Sequence, residues 1–191
     1  MEAQAAIANA TDTSGSATGI SVSTTGFNGS NTAGTQAATG NAAIFDIAST
    51  RDSLFGNAFA NFNGVLRPIA TVTFGGLDAT GSTTYSFDLF ASRLGGTLNR
   101  ETEYVVAGLN TGTVFLNAAD NLSNVVSVNN IIPTGAGEIT LTMDPGPNNT
   151  TTEGFYYLGA LRLTSIPEPS SALMAVFGAV LCLSRRRRIP G

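Results

Sequence analysis

Residues 83–92 read Thr83-Thr84-Tyr85-Ser86-Phe87-Asp88-Leu89-Phe90-Ala91-Ser92. Tyr85, Phe87, Leu89 and Ala91 fall on one face, and Ser86 and Asp88 fall on the other. A period of two is the signature of a strand with one dry face and one wet face. The same kind of pattern recurs on both sides of this stretch, at residues 20–23, 43–47, 69–74, 102–107, 113–116, 125–128, 138–143 and 155–163. Each run is short, β-branched or aromatic. Turn signals separate them: Gly75-Gly76, Asn110-Thr111-Gly112, Pro133-Thr134-Gly135 and Pro145-Gly146-Pro147-Asn148-Asn149. Alternation with one wet face implies antiparallel pairing, and about nine such strands need two sheets to cover their apolar faces. The expected fold is therefore all-β, an antiparallel β-sandwich of jelly-roll type over residues 20–164. Residues 51–61 and the C-terminal tail are the only helical prospects. The stretch 28–43, rich in Gly, Thr, Asn and Ala, reads as a long surface loop. No repeat of fixed period is present.

Composition narrows the chemistry. The chain has 191 residues with no His and no Trp, and only 12% are charged, about half the usual share. All nine basic residues are Arg, four of them at Arg185, Arg186, Arg187 and Arg188. Residues 1–165 carry a net charge of about −7, which leaves no basic patch for nucleic acid. The absence of His removes triad-type catalysis and the commonest metal ligand. A single cysteine, Cys182 in the apolar tail, excludes an internal disulfide and a thiolate zinc site. The body is thus read as non-catalytic and without a cofactor, a structural Ca²⁺ ion being the one exception its oxygen ligands could support.

Two places could hold a ligand. Arg93 and Arg100 bracket a Gly-rich loop, with Asp88, Glu101 and Glu103 near in sequence. Such a set could form a polar site for a sugar or for Ca²⁺, or the arginines could simply pin the loop by pairing with those carboxylates. Asp144 and Glu153 flank the Pro-Gly-Pro-Asn-Asn turn, where carboxylate and amide oxygens could also meet a cation; the spacing matches no EF-hand or RTX pattern, which favours a simply solvated loop. Tyr156 and Tyr157 are neighbours in one strand and cannot both face the core, so one could be exposed to stack on a sugar ring, or could simply lie on the wet face or beneath a loop.

The tail is organised differently. Pro167 and Pro169 flank Glu168, which forces an extended backbone. Residues 172–183 are almost wholly apolar, and the four arginines follow. This run is short for a full membrane span. Arginines that snorkel to the headgroups would lengthen it and hold the end in the cytoplasm. Pro167-Glu168-Pro169, a short apolar helix over 171–184 and a terminal Arg cluster together resemble the PEP-CTERM sorting domain of Gram-negative bacteria. That resemblance implies recognition by an exosortase, a membrane protease, in cells that also make exopolysaccharide. Residues 1–19 lack the basic start and apolar core of a signal peptide. They read as a flexible segment of a chain whose start lies upstream.

A second resemblance covers the body. Gly76-Leu77-Asp78, residues 85–93, Arg100-Glu101-Thr102-Glu103-Tyr104 and residues 154–161 resemble secreted jelly-roll domains akin to galactose-binding modules. No catalytic residue and no binding motif is carried over. The expectation is an exported protein of the cell envelope, inserted in the inner membrane by its tail before processing, then placed at the surface or outside in company with exopolysaccharide. The alternative is a carbohydrate-binding module ending a longer secreted hydrolase.

Overall fold

A computed structural model describes residues 5–167. The expected membrane helix 171–184, Glu168, Pro169 and the Arg cluster lie outside the described residues. Among the described residues, no helix is long and apolar enough to cross a membrane.

The strand that opened the analysis is β7 (Thr83–Phe90), and its dry face is where the pattern placed it: Tyr85 is nearly buried, and Phe87 and Leu89 are fully so. β7 lies between β10 (Val126–Ile131) and β13 (Ala160–Pro167) in a three-stranded sheet. The opposing layer has six strands in the order β1 (Ala6–Ile7), β2 (Ser21–Thr25), β6 (Ala70–Gly75), β11 (Ile139–Pro145), β8 (Glu101–Ala107) and β9 (Thr111–Asn117). All pairings within these sheets are antiparallel. Val72, Phe74, Tyr104, Val106, Leu141 and Met143 point from the six-stranded layer into the shared core. Phe74 meets Phe87 edge-on with centroids 5.4 Å apart, the preferred geometry for two rings of like quadrupole. The body is accordingly an antiparallel β-sandwich.

The remaining strands form a separate sheet, β12 (Phe155–Leu158), β4 (Ser53–Phe62) and β3 (Gly29–Asn31), with β5 (Val65–Arg67) also paired to β4. β12 is the edge strand of this sheet, and side chains satisfy its free backbone groups. Tyr157 donates its N–H to Thr102 Oγ1 at 2.9 Å and accepts from the Tyr104 hydroxyl at 2.6 Å. Phe155 donates to Thr151 Oγ1 at 2.8 Å and accepts from Asn149 Nδ2 at 2.7 Å. An edge that would otherwise recruit a foreign strand is closed in this way. Because Thr102 and Tyr104 rise from the inner face of β8, the sheet meets that face edge-first at β12.

Several expectations are corrected here. Residues 51–61 are not helical. A one-turn helix, α1 (Ile47–Arg51), ends there and β4 begins. Gly56 is the reason, since a Cβ at that position would lie 2.1 Å from the Tyr156 ring; the strand places a bare backbone where a tyrosine must lie. Residues 43–47 are not a strand. They span a 3₁₀ turn (Gly40–Ile44) and the start of α1, which Asp46 caps by accepting from the Ser49 N–H at 2.7 Å. The stretch 28–43 is not simply a surface loop. It supplies β3, and Thr35 and Ala42 are buried. Gly34 allows the close approach, because a Cβ there would sit 2.4 Å from the Thr50 carbonyl. Residues 155–163 form two strands in two sheets, divided at Gly159, whose N–H donates to the Phe90 carbonyl at 2.9 Å. Finally, β13 runs past residue 164 to Pro167, which pairs with Thr83. At the end of an edge strand, a proline lacks no hydrogen bond that the ladder needs.

Candidate functional site

The edge-first sheet leaves two faces to cover. On one, Tyr156 is buried over Gly56, its hydroxyl donating to the Arg67 carbonyl at 2.8 Å. On the other, Tyr157 lies beside Phe55 and Phe155, the rings 6.3 and 6.4 Å from its own. Both tyrosines are therefore buried. The expectation that one would be exposed assumed a sheet with one wet face, which this sheet does not have.

Phe62 completes the aromatic group, packing edge-on against Phe155 at 5.0 Å and Phe55 at 5.9 Å. Phe55, Phe62 and Phe155 are only half-buried. They line a cleft of about 210 Å³ together with Tyr157, Asn31, Arg93 and Arg100. The Arg100 guanidinium lies 5.7 Å from the Phe155 ring centre and 5.8 Å from that of Tyr157, within cation–π range. Its Nη1 donates to the Tyr157 hydroxyl at 2.7 Å. Burial pushes the Tyr157 hydroxyl pKa up, and the charges of Arg100 and Arg93 oppose that shift, so both cations stand near this one oxygen.

The loop carrying the two arginines is fixed at both ends. Arg93 N donates to Ala118 O at 2.7 Å, and Leu94 N to Ala33 O at 2.8 Å. Gly95, at φ +71°, donates to Asp120 Oδ1 at 2.7 Å. Asn99 N donates to Thr150 Oγ1, and Arg100 N to Asn117 Oδ1, both at 2.9 Å. The side chains are thus presented from a pinned backbone, not from a mobile tip.

The sequence singled out seven residues as ligand prospects; the structure brings Arg93 and Arg100 to one cleft and, away from it, sets Glu103 opposite Asp144 across the β8–β11 pairing. Asp88 lies on the outer face of β7, where it accepts from Arg162 Nη2 at 2.6 Å and from Ser127. Glu101 accepts from the Asn148 backbone N–H at 2.9 Å and from its side-chain amide. Asp144 is the next-to-last residue of β11, its carboxyl pKa raised by burial, and Glu153 lies in the turn before β12. Among the described residues, no group of three or more Asp, Glu, His or Cys is placed to hold a metal ion. Of the sorting residues only Pro167 is described, closing β13. Sequence reading missed Phe55, Phe62 and Phe155 as site residues. Phe55 fell inside the wrongly assigned helix, and Phe62 lay just past its end. The alternation Phe155-x-Tyr157 was the one available signal.

A larger opening of about 470 Å³ lies between β2 and β13. Its lining joins Ile20, Val22, Leu161 and Leu163, from the fringe of the core, to polar residues that include Asp12, Tyr85 and Arg162.

No protein-family model and no curated protein matches the chain. Among solved structures it is similar to the F5/8 type C domain of a Bacteroides fragilis protein, with 14% identity over 70% of this chain and 80% of that one, at a TM-score of 0.34. That similarity is too slight to transfer a function.

Proposed function

We propose that this is an exported, non-catalytic, sugar-binding protein whose jelly-roll-like body holds saccharide in the Phe55–Phe155–Tyr157 cleft. The observation that carries this reading is a set of half-buried aromatic rings beside polar side chains in one pinned recess. The C–H face of a sugar ring is apolar and lies on an aromatic face, while its hydroxyls need donors and acceptors such as Asn31 and the arginines. The volume is below the roughly 300–1,000 Å³ of ordinary small-molecule pockets. It suits one ring of a longer chain whose remainder stays outside.

The tail supplies the cellular half of the proposal. By its resemblance to a PEP-CTERM segment it would be inserted in the inner membrane, met by an exosortase-type protease at Pro167-Glu168-Pro169, and its body left at the surface among exopolysaccharide. The same cleft would serve the alternative, a module of a longer secreted hydrolase. Sequencing the upstream DNA separates the two, since only the second requires several hundred further codons.

Native electrophoresis of the full chain through gels containing embedded polysaccharides tests the binding. Retardation by at least one polysaccharide, lost in Phe155→Ala while the near-ultraviolet circular dichroism is kept, is the expected result. Unretarded migration through neutral and acidic polysaccharides alike would overturn the reading.

A further inference from the structure

We infer that the cleft takes an anionic sugar, its carboxylate or sulfate group received by Arg93 and Arg100. This rests on the saccharide reading above and adds the charge of the ligand.

The inference starts from where the local carboxylates go. The residues lining the cleft include two arginines and no acid. Among the described residues, neither arginine forms an ion pair with a carboxylate. The acids nearest in sequence and space are otherwise engaged: Asp120 accepts the Gly95 amide at 2.7 Å, and Glu101 accepts the Asn148 amide at 2.9 Å. Elsewhere in the body the same chain does pair its arginines, Arg51 with Asp52 and Arg162 with Asp88, each at 2.6 Å. Acids outnumber arginines eleven to five over residues 5–167. Leaving two guanidiniums unneutralised in one recess is therefore contrary to the composition.

The partners the arginines do have are neutral. Arg93 Nη1 donates to the Leu94 carbonyl at 2.7 Å, and Arg100 Nη1 to the Tyr157 hydroxyl at 2.7 Å. Each guanidinium carries five donors in a fork that matches a carboxylate or sulfate, so most remain for a ligand. Stacking on Phe155 and Tyr157 holds the Arg100 fork in one orientation, which lowers the entropy lost when an anion binds. Two cations close together also disfavour Ca²⁺ at this place by direct repulsion. The body's overall negative charge repels polyanions at a distance. An anionic glycan held here would consequently be held by the local pair, and not by general electrostatic attraction.

The test uses the full chain in an uncharged detergent, titrated with four probes: polygalacturonate, its fully methyl-esterified form, dextran sulfate and dextran. Each pair shares a sugar backbone and differs in charge. The expected result is that one or both charged probes bind at least tenfold more tightly than the neutral partner. The advantage should shrink as salt is raised. Arg93→Gln and Arg100→Gln should each weaken the charged probe by about 10–100-fold, the range of a charge-assisted hydrogen bond, with the thermal midpoint of Arg93→Gln unchanged. Polygalacturonate alone binding identifies a carboxylate ligand, dextran sulfate alone a sulfated one, and either supports the inference. Equal affinity for charged and neutral partners, or charged binding that survives both substitutions, overturns it while leaving the sugar-binding reading in place. Failure of all four probes and of every polysaccharide in the gel assay would remove both.

Discussion

The Tyr104 hydroxyl donates a 2.6 Å hydrogen bond to the carbonyl of Tyr157. One tyrosine thereby closes the edge of the strand that carries the other. Tyr104 is fully buried on β8, and its hydroxyl is the partner that lets β12 end in the core without a neighbouring strand. The site depends on this link. If β12 lay flat on the six-stranded layer, the face holding Phe155 and Tyr157 would be covered, and the cleft would not open.

Replacing Tyr104 by Phe keeps the ring and removes the donor. A buried carbonyl then loses its partner, at a cost of about 1–3 kcal/mol. Urea denaturation of Tyr104→Phe should show the midpoint falling with an unchanged slope. An unchanged midpoint would mean that water or another donor replaces the hydroxyl.

Gly56 makes a second, steric demand. A Cβ there would lie 2.1 Å from both Cζ and the hydroxyl oxygen of Tyr156. That ring is anchored by its bond to the Arg67 carbonyl and has little room to move. Gly56→Ala should cost roughly 1–3 kcal/mol, as overpacking does. Gly135→Ala is the control: nothing lies within 4 Å of its Cβ, and the change should stay within about 0.5 kcal/mol. Equal melting temperatures for the two variants would show that β4 and β12 are less closely packed than described.

These two sites also show what could and could not be read in advance. β6, β7, β8 and β11 were legible because each alternates over a single dry face, and Phe87 is as buried as its place in the pattern required. β4 was not legible. Gly56, Asn57 and Ala58 are poor strand formers, and what stabilises them is tertiary. Asn57 is fully buried because its amide donates to the Ala60 and Val65 carbonyls and its oxygen accepts from Asn28. The break at Gly159 was hidden because apolar residues continue through it. Of the candidate site, the two arginines were legible as a pair around a loop. The aromatic wall was not, since Phe55 and Phe155 lie far apart in sequence and meet only through the β4–β12 pairing.

Alkaline pH should expose the buried phenols. Burial raises the pKa of Tyr104 and Tyr156 well above the ordinary value near 10. The folded state therefore disfavours their ionised forms. Their contribution to stability is complete below pH 10 and is lost as pH rises from there toward the folded-state values. Urea midpoints should be level between pH 8 and about 9.5 and then fall, each tyrosine contributing up to about 1.4 kcal/mol per pH unit. The fall should be shallower in Tyr104→Phe. A wild-type midpoint that stays level to pH 11 would contradict the burial of both hydroxyls.

The last prediction concerns where the body ends. β13 is hydrogen-bonded to β7 as far as the Pro167–Thr83 pair, and a protease needs an extended, unpaired peptide in its site. Glu168 follows the last described pair in sequence, and it is the only charge in residues 165–184, which makes it the natural recognition handle. Under the proposed sorting reading the four arginines would have a separate task. Moving each through the bilayer would cost about 2.5–3.5 kcal/mol on the insertion scale, so together they would stop transfer and set orientation. In a host with the cognate exosortase, the mature protein should keep the whole of β13 and end at Pro167 or shortly beyond. Glu168→Ala should leave the chain membrane-inserted and uncut, whereas replacing Arg185, Arg186, Arg187 and Arg188 together should alter its topology. Intact-mass spectrometry of the exported protein decides the matter. A mature form that retains the Arg cluster would reduce the tail to an anchor. A C-terminus inside residues 160–166 would mean that β13 must peel from β7 before cleavage.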